Sequence, residues 1–245
     1  MAFADVADPV GRLTDPATRS ESILGQPFAN PGSVLDWLSP THIVNEFVKQ
    51  TCGYDAFGEA AKFFGGDWET VWKAAGAFSN LAAAMQDIGV NLSSGNLELD
   101  RAWDGKAGDA AYAYFTPLAS AISSQQFALA KMSEAYMKAA EGTYRQAEVY
   151  SGLMKDAYDA ALIAAIAASA GTAAIETGVG AVAGYAVAAY EVYKLLQILD
   201  KAKKIETTAM SIMNEVVGMI QAASADSGEF AKYPLPGGAY QHPGV

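Results

Sequence analysis

The feature that most limits what this chain can become is an apolar repeat, at alternating spacings of three and four, on both sides of a Trp-x-Gly tripeptide. On the N-terminal side it reads Val71, Ala74, Phe78, Leu81, Met85, Ile88, Leu92 and Leu99. On the C-terminal side it reads Phe115, Leu118, Ile122, Leu129, Met132, Tyr136, Ala139, Thr143 and Tyr150, with Gln125 as the polar exception. That period marks one face of an α-helix, and an apolar face has to be covered. Trp103-Asp104-Gly105 stands between the two runs, followed by Ala107, Gly108, Ala110 and Ala111, small residues that let two helices diverge from a tight turn. The predicted fold class is all-α: an elongated helical bundle built on a long antiparallel helical hairpin with a Trp-x-Gly turn, plus C-terminal helices. Gly105 permits the reversal and Trp103 is expected to cap the end of the bundle. Gly95 and Pro117 interrupt the runs, and a kink is predicted at Pro117, which removes a helical hydrogen bond.

Punctuation divides the chain into four segments. Residues 1–31 carry Pro9, Pro16, Pro27 and Pro31 without periodicity and read as an extended, weakly ordered arm. Residues 32–156 form the helical hairpin domain. It opens with a short helix over 40–52, with Ser39 as N-cap, Pro40 at the first helical position and Gly53 closing it. The first hairpin helix then starts at Asp67, after Gly65-Gly66. Residues 157–223 supply Ala/Gly-rich and amphipathic helices that pack on the hairpin. From Ala160 to Tyr190 the only charge is Glu176, and Gly171 and Thr177-Gly178 are natural places to break that run into two close-packed helices. A last seam reads Val192, Leu195, Leu199, Ala202, Ile205, Ala209, Ile212, Val216 and Met219, with Lys201, Lys203 and Lys204 on the other face. Residues 224–245 are rich in Pro and Gly and read as a disordered tail.

Charge and chemistry narrow the function. With 16 Lys plus Arg against 27 Asp plus Glu, the net charge of −11 is the wrong sign for a nucleic-acid partner. Cys52 is the only cysteine, and His42 and His242 lie far apart, so no Cys/His metal cage is expected. Gly178-x-Gly180-x-x-x-Gly184 lacks a preceding strand, and close helix packing explains it better than a dinucleotide site. No catalytic signature is present, so neither catalytic residues nor cofactors are expected. The N-terminus has no apolar core of signal-peptide length. The apolar stretches around Gly171 are shorter than the ~20 residues that span a bilayer, which leaves membrane contact as a lesser possibility.

One further spacing carries weight. Tyr144 and Glu148 are four apart, so a helix sets phenol and carboxylate on one face as a joint docking feature. The order helix, Trp-x-Gly turn, helix, then Tyr-x-x-x-Glu resembles the WXG family of type VII (ESX) secretion substrates over residues 67–150. In that family the turn and the Tyr-x-x-x-Asp/Glu element form a bipartite export signal read by the secretion system's membrane ATPase, without a cleaved signal peptide. The resemblance implies those roles for Trp103, Gly105, Tyr144 and Glu148, and secretion or cell-surface display from an actinobacterium-like host. The chain is longer than the small family members and resembles the larger ESX-associated secreted proteins. Trp103 and Tyr144 are separated by 41 residues, or ~60 Å along one helix. A composite surface therefore calls for a second copy or a C-terminal helix in cis. The expected function is non-enzymatic protein–protein interaction or self-assembly, with the type VII ATPase and a second copy or related secreted helical protein as partners. The alternatives are a membrane-active effector that inserts residues 160–190, and the export module of a polymorphic toxin.

Overall fold

A computed structural model of the chain describes residues 4–16, 42–53, 55, 58, 59 and 64–227. Among them every regular element is helical: α1 Pro9–Arg12, α2 His42–Cys52, α3 Trp68–Ala102, α4 Lys106–Ala173, a 3-10 turn Ile175–Thr177 and α5 Val179–Ser227. The protein is an all-α helical bundle. The cap expected at Ser39-Pro40, most of the N-terminal arm and the tail beyond Ser227 lie outside the described residues.

The helix ends have local causes. Gly53 closes α2 with φ +64°, and its N–H donates to the Lys49 carbonyl at 2.9 Å. Helix α3 begins at Trp68, directly after Asp67, and ends where Trp103, Asp104 and Gly105 reverse the chain. Helix α4 then runs unbroken for 68 residues, through an exposed Pro117 and past residue 157, into the small-residue run that begins at Ala160. Its end differs from one expectation. Gly171 lies inside α4 and is buried, and the chain turns at 174–178, where Gly178 adopts φ +64°. A glycine weakens a helix by only about 1 kcal/mol relative to alanine, and at Gly171 the missing side chain makes room for a neighbouring helix.

The described residues fall into two compact units. The first holds residues 4–16, 69–138 and 215–227, and the second holds 42–68 and 139–214, so α4 lends residues to both. In the first unit, α3 and the N-terminal half of α4 pair antiparallel about the Trp103–Gly105 turn. Asn96 Nδ2 donates to Thr116 Oγ1 at 3.1 Å, and Ser133 Oγ donates to the Ala75 carbonyl at 2.7 Å. Between those points Gly89 meets Ser123 so closely that a Cβ on Gly89 would lie 2.7 Å from the Ser123 Cβ.

This close approach moves the core of α3 away from the stripe the periodicity marks. None of Val71, Ala74, Phe78, Leu81, Met85, Ile88, Leu92 or Leu99 is fully buried; the buried positions are Trp72, Ala75, Gly76, Asn80, Ala82, Ala84, Asp87, Gly89, Gly95 and Asn96. Small residues occupy the line of contact because backbones that approach this closely leave no space for larger ones, and the aliphatic side chains flank it. Three polar residues of α3, Asn80, Asp87 and Asn91, hold the N-terminal arm. Asn91 accepts from the Val6 and Ala7 N–H groups at 3.0 and 2.8 Å and donates to the Ala7 carbonyl at 2.9 Å. Arg12 Nε donates to Asp87 at 2.7 Å, and Asn80 donates to the Thr14 carbonyl at 2.9 Å. Residues 6–14 thus run antiparallel to α3, tied down more firmly than their prolines and lack of periodicity suggest.

The second unit has the larger apolar core. Tyr150 and Met154 of α4 meet Leu195 and Leu199 of α5, with Val48 of α2 and Phe64 closing the cluster. The Phe64 and Tyr150 rings stand 5.5 Å apart, and the Tyr150 hydroxyl donates to Glu206 at 3.2 Å. Along α5 the seam follows the sequence reading, with Leu195, Leu199, Ala202, Ala209 and Val216 all buried.

These two seams predict opposite outcomes for the same substitution. Leu199→Ala, at a site 3% exposed, is expected to cost about 2–5 kcal/mol through lost burial and a cavity. Leu81→Ala, at a site 42% exposed, is expected to cost under about 1 kcal/mol. Urea denaturation midpoints measure both, and equal losses would contradict the burial assignment.

Candidate functional site

The Trp-x-Gly reversal is built by two glycines. Gly105 sits at φ +91°, a region that L side chains rarely adopt, and its carbonyl accepts the first α4 hydrogen bond, from the Asp109 N–H at 3.0 Å. Gly108 is constrained by space instead: a Cβ there would lie 1.9 Å from the Trp103 carbonyl oxygen and 2.9 Å from its carbon. The backbone of α4 therefore passes directly against the residue that opens the turn. Trp103 itself is 41% exposed, whereas Trp72 in α3 is 2% exposed. The expected cap at the bundle end is thus a tryptophan partly presented to solvent, flanked by exposed Asp104 and Lys106.

Tyr144 and Glu148 come together as their spacing predicts. The Tyr144 hydroxyl approaches Glu148 Oε1 at 3.4 Å, the long end of a hydrogen bond, with the tyrosine half-buried and the carboxylate exposed. Partial desolvation pushes the Tyr144 phenol above its ordinary value, and the neighbouring Glu148 charge and hydrogen bond push it the same way. Trp103 and Gly105 share one turn of the first unit, while Tyr144 and Glu148 share one face of α4 in the second. Gly108 belongs with the turn although the tripeptide does not include it. The signal available in the sequence was a glycine three residues after Gly105, at the first turn of the next helix.

Other features offer little chemistry. A groove of about 570 Å³ between α3 and α4 is lined by Gly89, Val90, Thr116, Ser120, Ser123 and Phe127 among others, with no ionisable side chain. Cys52 is partly buried against the second unit's core, where desolvation pushes its thiol up and disfavours the reactive thiolate, with Lys203 acting weakly the other way. Among the described residues no group of three or more His, Cys, Asp or Glu is placed to hold a metal ion. The His42 side chain and His242 lie outside those residues. Comparison with known proteins finds no matching family model, curated protein or solved structure.

The turn geometry makes two expectations measurable. Gly105→Ala should destabilise the protein by about 1–3 kcal/mol through its left-handed backbone, and Gly108→Ala should cost more, because a backbone oxygen must move. Urea unfolding reads both, and a neutral Gly108→Ala would refute the close approach. At the other element, Glu148→Gln should lower the Tyr144 phenol toward its ordinary value without fully restoring it, since desolvation is the first cause. Titration of Tyr144 by NMR with selective labelling checks this, and an unchanged value would mean that Glu148 does not act on the phenol.

Proposed function

We propose that this chain is a non-enzymatic type VII secretion substrate of the WXG kind, exported through a bipartite signal and acting through protein–protein contact. The observation that carries the reading is the presentation of Trp103. A large aromatic side chain that only filled the core would be buried as Trp72 is, yet Trp103 keeps 41% of its surface exposed at a reversal shaped by Gly105 and Gly108. Exposed tryptophans on rigid turns are strong anchors for a partner, because their ring buries a large area with little loss of conformational freedom.

The second element supports the same reading. Tyr144 and Glu148 offer an aromatic ring and a carboxylate at a fixed helical spacing, which suits recognition by a surface that combines an apolar pocket with a cation. The reader in this proposal is the membrane ATPase of the secretion system. Association with a second copy or a related helical protein would draw on apolar side chains left open in the first unit, including Val90, Leu97 and Phe127.

Export tests the proposal. Wild type is compared with Trp103→Ala and Tyr144→Ala in a host with an active type VII system, and circular dichroism checks that each variant keeps its helices. Folded variants are expected to remain in the cells while wild type reaches the culture supernatant. Equal export of all three would remove the signal and the functional reading with it.

A further inference from the structure

The core of the second unit stops well short of the turn between α4 and α5. Its buried cluster extends to Ala161 on α4 and begins at Leu195 on α5. Between those points Ala164, Gly171 and Glu191 are the described residues that are fully buried. The helices meet there through backbone: a Cβ on Gly184 would lie 2.6 Å from Gly171 Cα and 2.8 Å from the Ala167 carbonyl oxygen. A hydroxyl pair, Thr172 with Tyr185 at 3.2 Å, adds a polar tie. Helices that pair through glycine contacts need no burial of large side chains between them, and this is how helices associate in lipid, where apolar side chains gain nothing by meeting each other.

The large side chains of this tip point outward instead. Val179 is 82% exposed, Val182 71%, Ile166 61% and Ile175 59%. At ~100° per residue, Val182 and Val187 project ~140° apart around α5, and α4 contributes Ile163 and Ile166 of its own. A single protein partner covers one face, whereas apolar exposure around both helices fits a medium that surrounds them.

Length and charge set what that medium is. From Ala160 to Tyr190 the only charge is Glu176, and ionic groups resume at Asp159 on α4 and at the Glu191–Lys194 pair on α5. Val179 to Tyr190 spans ~16 Å of helix, about half of the ~30 Å hydrocarbon layer of a bilayer. Tyr190 and Tyr193, 61% and 58% exposed, stand at the charged end of that span. Tyrosines favour the depth of lipid headgroups, with ring in hydrocarbon and hydroxyl in water. Among the described residues no helix is long and apolar enough to cross a membrane, so the dimensions fit entry into one leaflet. The net charge of −11 disfavours a strongly anionic surface.

We propose that the α4–α5 tip, residues 160–190, is a lipid anchor that inserts into one leaflet of a zwitterionic bilayer, with Tyr190 and Tyr193 at the headgroups. This does not rest on the export signal. Glu176 lies at the turn, deepest in the anchor, so its charge opposes insertion and its neutralisation favours it.

Flotation of the full chain with phosphatidylcholine vesicles tests this. Wild type is expected to float, and V179D/V182D to lose binding at least about tenfold, because each added carboxylate would be drawn into hydrocarbon. Both sites are exposed, so the bundle should stay folded. Glu176→Gln is expected to bind about tenfold more tightly, and Leu97→Asp, on an exposed apolar site of the first unit, to float like wild type. A Val182→Trp chain gives a readout that needs no loss of binding: brominated lipids should quench its added indole beyond that of the wild-type chain. The proposal is overturned if wild type fails to float, if it binds only vesicles containing phosphatidylglycerol, or if the added indole escapes quenching. It is equally overturned if V179D/V182D instead dissolves an oligomer that forms without lipid, which would make the tip a self-association surface.

Discussion

Where α3 comes against α4, and again where α5 meets α4 at Gly171 and Gly184, the contacting atoms belong largely to alanine, glycine and the backbone itself. Ala119, Ala121, Ala128 and Ala135 line the first half of α4, and Ala147, Ala157, Ala160 and Ala161 line the second. Each buries little area, but helices separated by methyl groups or by nothing bring many backbone atoms into contact, and dispersion accumulates over the length of the pairing. The same constraint recurs at Gly89 against Ser123, at Gly108 against the Trp103 carbonyl and at Gly184 against Gly171. Larger residues are displaced from these lines. In α3 they become half-exposed flanks, and at the α4–α5 turn they become an apolar exterior.

That constraint explains which parts of the fold were legible. In α5, Leu and Ile fill the contact with α4, so the apolar seam from Leu195 to Val216 marks the buried face. In α3 the contact is made by Ala75, Ala82 and Gly89, and a search for large apolar residues selects the neighbouring stripe. Gly171 misleads for a related reason. A glycine in a run of small residues suggests a break, but a continuous helix tolerates one where a partner backbone occupies the space. The anchoring of the N-terminal arm was invisible because Asn80, Asp87 and Asn91 read as ordinary polar helix positions until the arm lies beside them.

The candidate site was legible in its positions and hidden in its exposure. Two patterned runs around Trp103-Asp104-Gly105 locate the reversal, and a spacing of four locates Tyr144 and Glu148. Sequence alone leaves open whether Trp103 fills the bundle or faces solvent, and this distinguishes packing from recognition. In the structure the indole is 41% exposed, beside an α4 backbone that passes against the Trp103 carbonyl at Gly108. In the proposed reading this partly exposed indole is the recognition element, since a fixed aromatic loses little freedom when it docks.

The proposed export function requires Trp103 and the Tyr144–Glu148 pair to touch the secretion ATPase directly. Replacing residue 103 or residue 144 with a photoreactive benzophenone amino acid, in cells carrying an active type VII system, tests contact without depending on export yield. Crosslinked adducts with the ATPase are expected from both positions and none from Leu199, which is buried in the second unit's core. Absence of an adduct from 103 and 144, with the protein folded and the ATPase present, would contradict it.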